Sequence, residues 1–176
     1  MSLLQSRKGL LIIGGIIALI VVGSILKSVS GFMGRSFVEN AIERATNGEA
    51  NVEMKNDGTM DITTKEGTFS TGQEMPKDWP SDVSAYDGAT VTYSASMNKT
   101  DETSGSALVL MTKDSANDVK AFYESSLKTN GWSITNTMQG GGTVLMTAEK
   151  DGRALSVAIA EAEGQTSITI GVEAAK

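Results

Sequence analysis

The sequence has no cysteine, no histidine and only two prolines. Without cysteine, neither a disulfide nor a thiolate holds or runs this protein, and no lipid-modified cysteine follows the apolar stretch near the N-terminus. Without histidine, the commonest general base and the commonest transition-metal ligand are missing. Aromatic residues are scarce as well: four Phe, three Tyr and two Trp. Positive charge is in short supply, with 15 Lys and Arg against 21 Asp and Glu for a net charge of −6. All of the acidic residues lie at or beyond Glu39, so the part that follows is more acidic than the whole. A surface of that sign repels nucleic acid and anionic lipid, and nucleic acid is excluded as a partner on that ground.

What the chain does have is an uncharged apolar run from Leu10 to Leu26, with no side chain more polar than Ser24. At about 1.5 Å per helical residue it covers roughly 25 Å, close to the hydrocarbon thickness of a bilayer. The run reads as a signal anchor over residues 10–27, with Leu10, Ile13, Ile17, Ile20 and Leu26 facing lipid. Arg7 and Lys8 precede it in a tail, residues 1–9, that has no acid. The positive-inside rule keeps such a tail in the cytoplasm and sends the acidic remainder outside. The expected location is the cytoplasmic membrane, crossed once. Two alternatives stand beside this. A signal peptide cut after Ser30 is one. The other is a pilin-like subunit, because Arg7-Lys8-Gly9 before an apolar helix looks like a prepilin processing site, although Gly14 stands where most pilins carry Glu.

Residues 28–49 predict a short amphipathic helix. Ser36 and Glu39 form a capping box, Phe37, Val38, Ala41, Ile42 and Ala45 recur at helical spacing, and Gly48 is the stop. The stripe is expected to pack on the domain behind it. Residues 50–72 predict a small β-meander, polar on both faces, with hairpin turns at Asn56-Asp57-Gly58 and Lys65-Glu66-Gly67. Residues 73–89 form a stiff linker that carries Pro76 and Pro80 around Trp79, with Asp78, Asp82 and Asp87.

From residue 90 to 176 the pattern is that of a domain. Thr90–Ser96 alternates, which places Val91, Tyr93 and Ala95 on one face. Ser106–Thr112 is a more buried strand. Ser115 caps a helix whose apolar stripe is Val119, Phe122, Tyr123 and Leu127, and Asn130-Gly131 ends it. Four strands follow, separated by Gly140-Gly141-Gly142, Asp151-Gly152 and Glu163-Gly164. The resulting fold class is α+β: an N-terminal transmembrane helix, the short helix and meander, then an antiparallel sheet on one main helix in the order β-β-α-β-β-β-β.

Two segments carry a resemblance. Met75-Pro76-Lys77-Asp78-Trp79-Pro80-Ser81-Asp82-Val83 with Tyr86-Asp87-Gly88-Ala89 resembles the "lP-dfP-sDvP-yyGa" signature of uncharacterised membrane-anchored or secreted bacterial proteins. Val119-Lys120-Ala121-Phe122-Tyr123, then Leu127, Gly131 and Trp132, resembles their "V-x-x-FY-x-x-x-L-x-x-x-GW" helix. The similarity spans about Ser36 to Val172, and departs from the signature at Ser84, where proline is usual. It implies an extracytoplasmic α+β domain and no activity.

The sequence nominates no catalytic, cofactor-binding or metal-ligating residue. Asp78, Asp82 and Asp87 offer oxygens suited to a hard cation, but their spacing is not that of an EF-hand, and turn acids beside prolines explain them. Gly140-Gly141-Gly142 precedes a strand, so it lacks the helix N-terminus that a phosphate cradle needs. No pair of carboxylates is framed as in a glycosidase. Trp79, Asp82 and Tyr86 are the candidate interaction surface. The expected function is a membrane-anchored extracytoplasmic domain of a bacterial envelope that binds or scaffolds and is not an enzyme. Its partners are the lipid bilayer, through the N-terminal segment, and an envelope protein or polymer. The alternatives are an assembling, pilin-like subunit and an acidic hydrolase.

Overall fold

The computed structural model of the chain describes residues 51–55, 59–64, 67–99 and 104–173. Nine strands and one helix follow one another: β1 (Asn51–Met54), β2 (Met60–Thr64), β3 (Gly67–Gly72), β4 (Thr90–Lys99), β5 (Gly105–Thr112), α1 (Ala116–Thr129), β6 (Ser133–Gly140), β7 (Thr143–Lys150), β8 (Arg153–Ala162) and β9 (Gln165–Glu173). All nine strands belong to one sheet in the order β1-β2-β3-β4-β5-β9-β8-β7-β6, and every neighbour is antiparallel.

This corrects the α+β expectation. The described chain is predominantly antiparallel sheet with a single helix, and the meander is no separate layer. β3 pairs with β4 from Gly67↔Lys99 to Gly72↔Ser94, so the early strands extend the main sheet. The anchor residues Leu10, Ile13, Ile17, Ile20 and Leu26, the helix expected after Ser36, and the Asn56-Asp57-Gly58 turn lie outside the described residues. Among those described, no helix is long and apolar enough to cross a membrane.

Local chemistry sets the elements. At the start of α1, the Ser115 hydroxyl accepts from the Asp118 amide (3.2 Å), which makes it the N-cap, and donates to the Asp118 carboxylate (2.6 Å). At its end, the Trp132 amide donates to Leu127 O (2.8 Å) and the Gly131 amide to Lys128 O (3.1 Å), a Schellman cap. Gly131 has φ +81°, where a Cβ is strained, and this reversal drops Trp132 into the core. The three returning hairpins turn on two residues each. Asp151-Gly152 is typical, with φ +51° and +77°, the type I′ geometry that matches strand twist.

The core lies between α1 and one face of β5–β9. Leu108 and Leu110 pair with Ile170 and Ile168, which continue to Val157 and Ile159, then to Met146 and Val144. Val119, Tyr123 and Leu127 of α1 close over this face, and all of these side chains are fully buried. Burying each aliphatic side chain contributes about 1.5–3 kcal/mol relative to exposure, enough to hold the helix on the sheet.

β4 departs from simple alternation. A bulge between Val91 and Tyr93 breaks the register. Val91 pairs with Leu110 and packs on the core, whereas Tyr93 and Ala95 pair with Val109 and Ala107 on the far face. The expected shared face of Val91, Tyr93 and Ala95 is therefore wrong by one inserted residue. The early strands also depart from expectation. They are not polar on both faces: Met60, Ile62 and Phe69 fall on the side away from α1, and Asp61 and Ser70 on the same side as α1.

Candidate functional site

Residues 73–89 run along the α1 side of the sheet as a strap. Three tight turns stiffen it: the amides of Trp79, Val83 and Ala89 donate to the carbonyls of Pro76 (3.1 Å), Pro80 (3.1 Å) and Tyr86 (3.2 Å). The indole of Trp79 donates to Val83 O (2.7 Å), and that of Trp132 to Asp82 O (3.0 Å). Val83 is buried between them. Both tryptophans thus place an apolar ring against the core and satisfy their N–H on the strap backbone.

Asp82 is the electrostatic centre of the strap. Its carboxylate accepts from Lys150 Nζ (2.7 Å) and from both terminal nitrogens of Arg153. Arg153 lies over the Trp132 ring at 4.8 Å, and Lys150 also donates to Asn130 O (2.8 Å) at the end of α1. The Arg153 hydrogen bonds hold the Asp82 pKa down at about 2, against a burial effect that raises it, with Lys150 adding to the depression. One carboxylate thereby ties the strap to the β7–β8 turn and to the helix end.

Tyr86 anchors the other end of the strap. Its hydroxyl donates to Asp114 (2.8 Å), and its ring meets Phe122 edge-on at 5.0 Å. The bond to Asp114 pushes its pKa up to about 12, with partial burial adding to the rise. Tyr123 lies just beneath, and burial raises its phenol too. No hydrogen bond of good geometry reaches its hydroxyl among the described residues, although the Tyr86 backbone lies near enough to lower the phenol a little. The three candidate interaction residues therefore share one strap, and each is engaged within the chain. Asp78 accepts from Asn98 (3.3 Å), and Asp87 borders a hollow of about 480 Å³ with Lys113 and Asp114. Asp78, Asp82 and Asp87 do not converge, and no group of three acidic, His or Cys side chains among the described residues is placed to hold a metal ion.

The strap also shapes a hollow of about 890 Å³ over β2–β4. Its floor carries Asp61, Ser70, Ser94 and Ser96, its wall is residues 72–78, and Asn98 and Lys55 stand at its ends. Lys55 and Asp61 form an ion pair at 2.7 Å, so the floor presents the Ser70, Ser94 and Ser96 hydroxyls beside a neutralised charge pair, with the Gln73 and Asn98 amides and the charges of Glu74, Lys77 and Asp78 around its rim. Such a surface exchanges neutral hydrogen bonds in both directions. By contrast, the space between α1 and the sheet is filled by the core side chains. Sequence reading missed this cleft because its residues are common Ser, Asp and Asn. The only signal was the alternation of Ser94, Ser96 and Asn98, legible once the bulge is placed. It also missed Lys150 and Arg153, whose pairing with Asp82 spans about seventy residues.

Residues 91–167, from β4 into the start of β9, match a family model described as START domain-like. No curated protein and no solved structure matches the chain.

Proposed function

We propose that this chain is a binding domain of a bacterial envelope, tethered to the cytoplasmic membrane by its N-terminal apolar segment. The cleft over β2–β4 takes a neutral ligand rich in hydroxyl and amide groups. The observation that carries this reading is the contrast between the two spaces on the α1 side of the sheet. Under the helix the space is packed with Leu108, Leu110, Tyr123 and Leu127, whereas beyond it an open hollow is lined with hydrogen-bonding groups. The START domain-like match supports a binding role. The uncharged run from Leu10 to Leu26, with Arg7 and Lys8 before it, supports the tether and its orientation. An envelope polymer fits the ligand chemistry, because sugars and peptide amides offer the same donors and acceptors as the floor.

A titration of the isotope-labelled full chain with chitohexaose, a neutral oligosaccharide with amide groups, tests the site. Amide shifts concentrated at Ser70, Ser94 and Ser96 and abolished by Ser96→Phe support it. Shifts confined to the hollow at Lys113, or none at millimolar ligand, count against it. Orientation is tested separately with Lys128→Cys, an exposed position on α1. A membrane-impermeant maleimide applied to whole cells must label that thiol. Labelling only after lysis overturns the tethered, outward-facing reading.

A further inference from the structure

The sheet changes its apolar side partway across. In β5–β9 the apolar residues face α1, which packs against β6, β7 and β8. In β2–β4 the α1 side carries Asp61, Ser70, Ser94 and Ser96, and the opposite side carries Ile62, Phe69, Met97 and Tyr93. The bulge after Val91 makes the exchange. On that opposite side Ala95 and Ala107 are buried, and Tyr93 and Val109 pack around Ala107. Ile62, Phe69, Tyr93, Met97 and Val109 are half-buried and adjoin across neighbouring strands, and a contiguous apolar sheet face of this kind is covered in a stable domain.

We propose that this apolar face of β2–β5 is the docking surface for the chain's own segment Phe37–Ala45. The segment has the matching chemistry: Phe37, Val38, Ala41, Ile42 and Ala45 fall on one helical stripe, with Glu39, Glu43 and Arg44 off it. It ends in the right place. Thr46 to Ala50 separate it from Asn51, the first residue of edge strand β1, and connections of about 2–6 residues join a helix to the strand it packs beside. A segment so close to β1 reaches either face of the early strands, and only one of them is apolar. A nine-residue helix is about 14 Å long, roughly the span of four strands at about 4.8 Å spacing. Docking on this side leaves the polar cleft open on the other. On the tethered reading it also holds the domain near the lipid, because residues 27–36 extend at most about 35 Å from the apolar run to the segment.

The absence of native cysteine makes the test clean. Full-length protein in detergent micelles carries Ile42→Cys with Met97→Cys and is treated with a short bismaleimide. The expected product is a crosslink within one chain, running as a monomer, with a yield unchanged over a hundredfold dilution. Ile42→Cys with Ser96→Cys, the neighbouring residue on the opposite face, is expected to react at least tenfold less. Crosslinks that join two chains and fade on dilution make a second copy the occupant and overturn the proposal. No crosslink, or equal yield at positions 96 and 97, overturns it as well. A second measurement follows the rate at which a water-soluble maleimide labels Met97→Cys alone. Ile42→Asp is expected to raise that rate at least tenfold and to leave Ser96→Cys unmoved. Equal rates with and without Ile42→Asp, or an equal rise at both positions, refute docking on this face. Neither measurement depends on ligand binding in the cleft, so failure of the chitohexaose titration leaves this result standing, and the reverse holds too.

Discussion

The two halves of the sheet use one architecture and opposite chemistry. From β5 to β9, the face under α1 is a run of fully buried Leu, Ile, Val and Met, and the hairpins between the strands turn on two residues each. From β1 to β4, the same face is serine, threonine and acid, and it borders a hollow in place of a helix. Antiparallel pairing is continuous across both halves, so the backbone does not distinguish them. The difference lies in side-chain phase. A single inserted residue in β4 moves every later side chain of that strand to the other face, and it stands where the packed half gives way to the open polar half. Folding is supplied mainly by one side of the molecule, and the other is free to carry polar groups that a core would not tolerate.

The largest effect expected from this contrast is in the packed half. Leu110→Ala removes a fully buried side chain and leaves a cavity, at a cost of about 2–5 kcal/mol. Thermal or urea unfolding measures it. Ser94→Ala, at the equivalent depth of the polar half, is expected to cost less than about 1 kcal/mol. Similar losses at both positions would mean that the two halves share the work of folding equally, and would break the comparison.

Between these extremes stands the strap. Asp82→Asn leaves Lys150 and the nearly buried Arg153 facing a neutral amide, and a cost of about 1.5–3 kcal/mol is expected for the charged hydrogen bonds lost. The pH dependence carries the sign. The folded-state pKa of about 2 lies below the ordinary 3.8, so the folded state binds its proton less readily than the unfolded chain. The stabilisation is complete above the ordinary value and is lost as pH falls through the folded one. The native protein should therefore lose stability between about pH 4 and pH 2, and the part of that loss due to Asp82 should vanish in Asp82→Asn. An unchanged acid limb would show that other carboxylates carry it.

How much of this was legible in the sequence divides along the same line. The N-cap at Ser115, the glycine cap at Gly131 and the turns at Asp151-Gly152 and Glu163-Gly164 depend on neighbours within a few residues, and local spacing reveals them. The bulge in β4 does not show, because Val91, Tyr93 and Ala95 alternate whether or not a residue is inserted. The early strands were read as polar on both faces because Met60, Ile62 and Phe69 are spread singly over short strands. Their alignment into one apolar face exists only after the strands pair. The candidate site suffered most. Asp82 reads in sequence as a turn acid beside prolines and a candidate contact, because Lys150 and Arg153 reach it only through the fold.

The smallest effect sharpens the comparison from inside the packed half. The Tyr123 hydroxyl is the one buried side-chain polar atom there without a hydrogen bond of good geometry among the described residues. A buried hydroxyl that makes no bond loses its water contacts without replacement. Tyr123→Phe keeps the ring, and with it the edge-on contact to Phe122 at 5.1 Å, and removes only the oxygen. The variant is expected to be more stable by about 1 kcal/mol, read as a raised midpoint in urea at an unchanged slope. Tyr86→Phe supplies the opposite sign two contacts away. It deletes a made bond to Asp114 and should lower stability by about 0.5–1.5 kcal/mol. Equal destabilisation by both changes would mean that the Tyr123 hydroxyl is bonded in solution, and that the packed half holds a polar contact where the geometry shows none.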